Sequence, residues 1–269
     1  MVEYPHATWR LIHSAPADGA TQMAMDEAIL RAVSCGESPP TLRFYAWDPG
    51  CLSLGRGQPV ADVDLEALVA SGFDLVRRPT GGRAILHVDE LTYAVVAPDD
   101  DPRVAGGVVE SYRRLSAGLI RGLERLGVTG IVSDERAASR RAKGPVCFEV
   151  PSDYEIAVDG RKLVGSAQMR ARGAVLQHGA VPLTGDIARI CPLLAALPGR
   201  NRVRARAATL EDVLGKPVSW SDVADALAEG FAEALTLELK PAELSNGERL
   251  WTESLREKKY ATDDWNRKV

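Results

Sequence analysis

The chain has 269 residues, 45% of them hydrophobic and 26% charged, which is enough for one substantial buried core and ordinary for a globular protein. A formal net charge of −4 gives no general attraction to nucleic acid or to an anionic membrane surface. The start, MVEYPHATWR, has no basic stretch followed by an apolar run, and the longest apolar runs, such as 190-ICPLLAAL-197, are too short to span a bilayer. A cytoplasmic protein is expected, with no membrane or nucleic-acid partner.

In chain order, 9-WRLIH-13 predicts a short strand, and apolar residues at Met25, Ala28, Ile29, Ala32 and Val33 predict a helix over 18–34 that ends at Gly36. Strands follow at 41–47 and 51–55, separated by the turn signal Asp48-Pro49-Gly50. Asp62 is the expected N-cap of a short helix reaching about Ala70. Residues 73–97 predict three strands, with Pro79-Thr80-Gly81-Gly82 as the first turn. Val108, Tyr112, Leu115, Leu119, Leu123 and Leu126 form the stripe of a long amphipathic helix. A strand near 130–134, a β-rich segment over 152–182, a helix from about Asp186 to Leu197 and a helical end from Ser219, broken at Pro241, complete the reading. The mixed order predicts an α+β domain, a largely antiparallel or mixed sheet flanked by helices, spanning 1–269 with a helical C-terminal extension from about 219.

Asp159-Gly160 between alternating runs is a strong hairpin signal, because both turn positions need positive φ. A two-residue turn pairs Val158 with Arg161, Ala157 with Lys162 and Ile156 with Leu163, so Tyr154, Ile156, Val158 and Leu163 share the face expected to be buried. Lys162 then falls on the other face. It is either a solvated lysine near Glu155 and Asp159 or a partner of a nearby nucleophile.

The four cysteines are scattered, with no CxxC and no zinc-ligand spacing, and the histidines form no HExxH pair, so no metal is expected. Cys51 and Cys191 sit among apolar residues and predict inert core thiols, and Cys35 follows a helix end. Cys147 lies in a loop behind Arg140, Arg141 and Lys143, whose charges favour a thiolate. In 77-RRPTGGRAILH-87 the glycines allow close backbone approach of a ligand, although the GK[ST] ending of a phosphate loop is missing. In 176-LQHGAVPL-183, a histidine followed by glycine marks close packing or a site.

Together the blocks 15-APADGATQMAMDEAIL-30, 40-PTLRFYAWDPGCLSLGRGQ-58, 77-RRPTGGRAILHVDELTYAV-95, 147-CFEVPSDYEIAVDGRKLVGSAQMR-170 and 176-LQHGAVPL-183 resemble the biotin/lipoyl protein ligase family. The match is nearest to its octanoyl-[acyl carrier protein]:protein N-octanoyltransferase branch. The resemblance implies that family's catalytic-domain fold. It also implies an acyl-chain pocket lined by the block holding Arg77, Gly81, Gly82, Arg83 and His87, with Gly165, Ser166, His178 and Gly179 at the substrate. Cys147 would be the acyl-accepting nucleophile and Lys162 its catalytic partner. Many members have His-Asp where this chain has His87-Val88, so a contact from that aspartate is absent or is taken over by Asp89.

The implied donor is octanoyl-acyl carrier protein. The implied acceptors are lipoyl-domain proteins, either a glycine cleavage H protein or a 2-oxoacid dehydrogenase E2. No cofactor is implied, and a monomer is expected. The basic run 136-RAASRRAK-143 is a candidate dock for an acidic carrier. Three alternatives share the features: an ATP-dependent lipoate–protein ligase, an amidotransferase moving octanoyl between lipoyl domains, and a non-catalytic acyl-carrier-binding module.

Overall fold

The computed structural model describes residues 4–133 and 156–268. Strand β1 (Ala7–His13) leads into α1 (Gly19–Ser34), whose N-terminus is capped by the Asp18 carboxylate accepting from the Thr21 amide at 2.8 Å. Next come β2 (Thr41–Tyr45), β3 (Cys51–Leu54), α2 (Leu65–Ala70), β4 (Asp74–Arg77), β5 (Ile85–His87) and β6 (Glu90–Pro98). Helix α3 (Val108–Arg125) and β7 (Ile131–Ser133) precede β8 (Ile156–Val158), β9 (Arg161–Ala171) and β10 (Ala174–Pro182). The chain continues through α4 (Arg200–Arg204), α5 (Leu210–Leu214), α6 (Trp220–Leu235), β11 (Leu237–Pro241), α7 (Asn246–Leu255) and α8 (Asp263–Asn266).

Eight strands form one mixed sheet in the order β11-β1-β2-β6-β10-β9-β8-β7, in which β1 is parallel to both neighbours and the other pairs are antiparallel. One face packs on α3 and α6 through Leu115, Leu119, Leu123, Leu227 and Phe231. These two helices cross closely: a Cβ on Gly230 would stand 2.2 Å from the Gly122 amide nitrogen and 2.5 Å from the Gly118 carbonyl. The opposite face carries α1 and α7, with Met23, Ile29, Val33 and Leu255 buried. A three-stranded sheet, β4-β3-β5, has its own core of Leu52, Leu54, Ile85, Ile190 and Leu193. No described helix is long and apolar enough to cross a membrane.

The α+β expectation holds, and several local readings are corrected. The α2 cap is Asp64, whose carboxylate accepts from the Ala67 amide at 2.9 Å, while Asp62 ends a 3₁₀ turn. Residues 187–193 form a 3₁₀ segment containing Pro192, shorter than the helix expected over 186–197. Val108, placed on the α3 stripe, is exposed in the first turn. Pro241 ends a strand, β11, pairing parallel to β1, where helix had been expected.

In the hairpin, Asp159 (φ 50°) and Gly160 (φ 74°) take the positive φ values expected. The register is as read for Val158–Arg161 and Ala157–Lys162, but Ile156 pairs with Val164, so Leu163 is an extra residue. Leu163 and Val164 both enter the α3/α6 core, which puts Lys162 on the sheet face shared with Gly165 and Ala167.

Candidate active site

A cavity opens where α1, the end of β2, the 78–87 segment and the paired strands β9 and β10 converge. Met23, Tyr45, Trp47 and Ile85 form much of its wall. Gly165, Ser166 and Ala167 line it from β9, and His178, Gly179 and Ala180 from β10. Only glycine fits at 179, since a Cβ there would lie 2.5 Å from Ser166 Oγ and 2.6 Å from the Gly165 carbonyl.

Two histidines line the cavity, and both nitrogens of each ring are engaged in the wall. His178 Nδ1 meets Asp26 Oδ2 at 2.9 Å, and its Nε2 meets Thr80 Oγ1 at 2.7 Å. Burial, with help from the nearby Arg78 and His87, lowers the His178 pKa despite the opposing pull of Asp26, which favours the neutral ring. Burial would raise the pKa of the Asp26 carboxyl. The His178 hydrogen bond and the Arg43 charge outweigh it and keep Asp26 ionised. A carboxylate only accepts, so Nδ1 carries the ring proton and Nε2 accepts from the Thr80 hydroxyl. His87 Nδ1 lies 2.7 Å from Glu90 Oε1 and its Nε2 lies 2.6 Å from Ser53 Oγ. Trp47 stacks on the His87 ring at 4.1 Å and donates its indole N–H to Thr92 Oγ1 at 2.8 Å.

The nine residues expected to bind substrate fall into three groups. Gly82, His87, Gly165, Ser166, His178 and Gly179 line the cavity together. Gly81 and Arg83 flank it and offer their carbonyls to Arg78 Nη2 at 3.1 and 3.0 Å. Arg77, expected at the substrate, is not at the cavity. Its buried guanidinium donates to the carbonyls of Gly55, Arg56, Gln58, Trp265, Asn266 and Lys268. Its neighbour Arg78 lines the cavity, because successive side chains leaving a strand point to opposite sides.

Lys162 is 5% exposed, so it is not the solvated lysine that the hairpin alone allowed. Its amide donates to the Arg206 carbonyl at 2.7 Å, and its carbonyl accepts from the Ala208 amide at 3.0 Å. Cys147, Tyr154 and the basic run 136–143 lie outside the described residues. Cys51 and Cys191 are buried, and burial with the nearby Asp74 and Asp18 carboxylates pushes the Cys51 thiol well up, which fits an inert core thiol. Asp89 does not replace the family's aspartate beside His87, since it pairs with Arg189 at 2.6 Å while Glu90 holds the ring.

Sequence reasoning missed Asp26, Trp47, Arg78, Thr80 and Glu90. One signal was available: Asp26 is a charged residue on the buried face of α1, three positions from both Met23 and Ile29.

A model of the lipoyl protein ligase A/B catalytic domain matches residues 18–232, and the chain belongs to that family. Among relatives, Octanoyltransferase LipM of Kyrpidia tusciae is 48% identical over 270 residues, covering 96% of this chain and 98% of that protein. The protein of the same name from Symbiobacterium thermophilum is 44% identical over 269 residues, covering 96% and 97%. Among solved structures, a lipoate-protein ligase A bound with ATP matches with a TM-score of 0.81 at 27% identity, covering 97% of this chain and 98% of that one. The bi-partite lipoate protein ligase of Thermoplasma acidophilum, described with its E2 lipoyl domain, matches with a TM-score of 0.80 at 27% identity and 97% coverage of both chains.

Proposed function

We propose that this chain is an octanoyltransferase of protein lipoylation. It would move an octanoyl group from octanoyl-acyl carrier protein, through a thioester on Cys147, to a lysine of a lipoyl domain. The observation that carries this reading is the cavity wall. Met23, Trp47, Ile85, Ala167 and Ala180 present carbon, and the two histidines turn their nitrogens to wall partners. Such a surface favours an apolar tail. The octanoyltransferase names of the relatives point the same way.

In this reading the Cys147 thiolate attacks the donor carbonyl. The carbon–sulfur bond to the carrier's arm breaks, its thiolate leaves, and acyl-Cys147 forms. The acceptor amine then attacks that thioester, Cys147 leaves as thiolate, and the amine's proton passes to it as the amide forms. Lys162, which is not among the residues lining the cavity, would supply positive charge that favours the thiolate and the developing oxyanion. Thioester to amide is downhill, so ATP has no role.

The test is to incubate the protein with octanoyl-carrier and an apo lipoyl domain, with and without ATP, and weigh the products. Donor alone should leave a hydroxylamine-labile octanoyl adduct on Cys147, absent from Cys147→Ser. An adduct on Cys35, Cys51 or Cys191, or ATP-dependent attachment of free octanoate, would overturn the proposal.

A further inference from the structure

Asp26 touches no cavity surface, yet it determines what one cavity residue can do. It is fully buried and receives three donors: Arg43 Nη1 on Oδ1 at 2.6 Å, and Tyr45 OH and His178 Nδ1 on Oδ2 at 2.9 Å each. Arg43 is fixed in turn, by Ser14 Oγ at 2.8 Å and by Gln22 Oε1. At the far end of the chain of bonds, Thr80 donates its hydroxyl to His178 Nε2, while its carbonyl accepts from the Arg56 amide at 2.8 Å. The loop from Pro79 to Arg83 is therefore held at Thr80 from two sides, two residues before Gly82, which is exposed and lines the cavity.

We infer that Asp26 is a positioning residue for acyl transfer: acting through His178, it sets the direction of the Thr80 hydrogen bond and so holds the Pro79–Arg83 loop over the cavity. The inference takes its reaction from the octanoyl-transfer reading, but the direction of the bonds does not depend on that reading. The same polarity argument applies wherever a buried carboxylate fixes the tautomer of a histidine that orients a hydroxyl.

Asp26→Asn tests it because the substitution keeps shape and inverts polarity. Arg43 can only donate, so the asparagine must turn its oxygen toward Arg43 and its amide nitrogen toward Tyr45 and His178. That nitrogen donates to Nδ1, the ring proton moves to Nε2, and Thr80 becomes the acceptor. Three results are expected. The ¹⁵N resonances of His178 exchange from the Nδ1–H to the Nε2–H pattern. Amide hydrogen exchange at Gly81, Gly82 and Arg83 quickens by about tenfold or more. The kcat for octanoyl transfer falls by roughly 10- to 100-fold with KM for the donor within about twofold. Thr80→Val should reproduce the exchange and kcat effects, and Thr80→Ser should retain wild-type behaviour.

An unchanged His178 tautomer in Asp26→Asn would overturn the inference, as would an exchanged tautomer with loop protection and kcat unaltered. If Asp26→Asn does not fold, the Thr80 pair decides: equal behaviour of valine and serine overturns the inference, and loss with valine alone supports it. If wild-type protein transfers no octanoyl group, the functional reading fails, while the tautomer and exchange measurements still judge the positioning.

Discussion

Gly55 and Gly82 meet backbone to backbone: a Cβ built on Gly55 would stand 2.1 Å from the Gly82 carbonyl oxygen and 2.8 Å from its carbonyl carbon. No flexible side chain is available to give way. Gly55→Ala should therefore push the cavity loop outward, at a cost of about 1–3 kcal/mol of stability. It should also raise KM for an octanoyl donor. A urea midpoint and KM both equal to wild type would mean the contact yields without consequence.

Lys162→Ala should remove most transfer activity while leaving the melting temperature within a few degrees. Lys162→Arg should not restore it, because a planar fork replaces a compact ammonium in a buried position. Near-normal rates in the alanine variant, measured by acceptor mass shift at fixed donor, would leave Lys162 with a packing role only.

Arg77→Met should lower stability by about 3 kcal/mol or more, since six carbonyls lose a donor and three of those bonds are buried. Arg77→Lys should recover only part of the loss, because one nitrogen cannot span what the fork spans. Trp265, whose indole donates to the Arg77 carbonyl at 2.8 Å, reports the change by fluorescence. A raised KM with an unchanged unfolding midpoint would instead return Arg77 to the substrate.

The pKa of His178 is lowered from the ordinary 6.5, chiefly by burial. Below 6.5 the unfolded chain binds a proton that the folded chain refuses, so this residue's contribution is fully present above 6.5 and is lost as the pH falls. At pH 5.5 the loss from this one group is up to about 1.4 kcal/mol relative to pH 7.5. His178→Gln has no such proton to bind, and its stability should fall less over that interval. Denaturant curves at the two pH values check this, and parallel losses in both proteins would refute it.

Much of the fold was legible because the deciding signals are local. The apolar spacing of α1, the Asp159-Gly160 turn, the α3 stripe from Tyr112 to Leu123 and the apolar settings of Cys51 and Cys191 all follow from residues within a few positions. The misread features depend on distant partners. β11 is a strand because β1, some 230 residues earlier, offers an edge. The bulge at Leu163 is set by how the core accepts two successive apolar residues, which alternation along the hairpin cannot foresee. For the site, the motif blocks located the cavity loop, but which of two adjacent arginines faces it is fixed by strand geometry. Asp26 stayed hidden because its partners Arg43, Tyr45 and His178 lie 17, 19 and 152 residues away.

Arg77 and Arg78 are consecutive, one fastened to the final turn of the chain and the other to the cavity wall. The last residues therefore behave as part of the site's foundation. Trimming the chain after Ala261 removes Trp265, Asn266 and Lys268 together, which frees Arg77 to swing and takes away the support behind Arg78. A chain shortened this way would lose helix α8 and, with it, the anchor behind the cavity wall, although none of the missing residues lines the cavity.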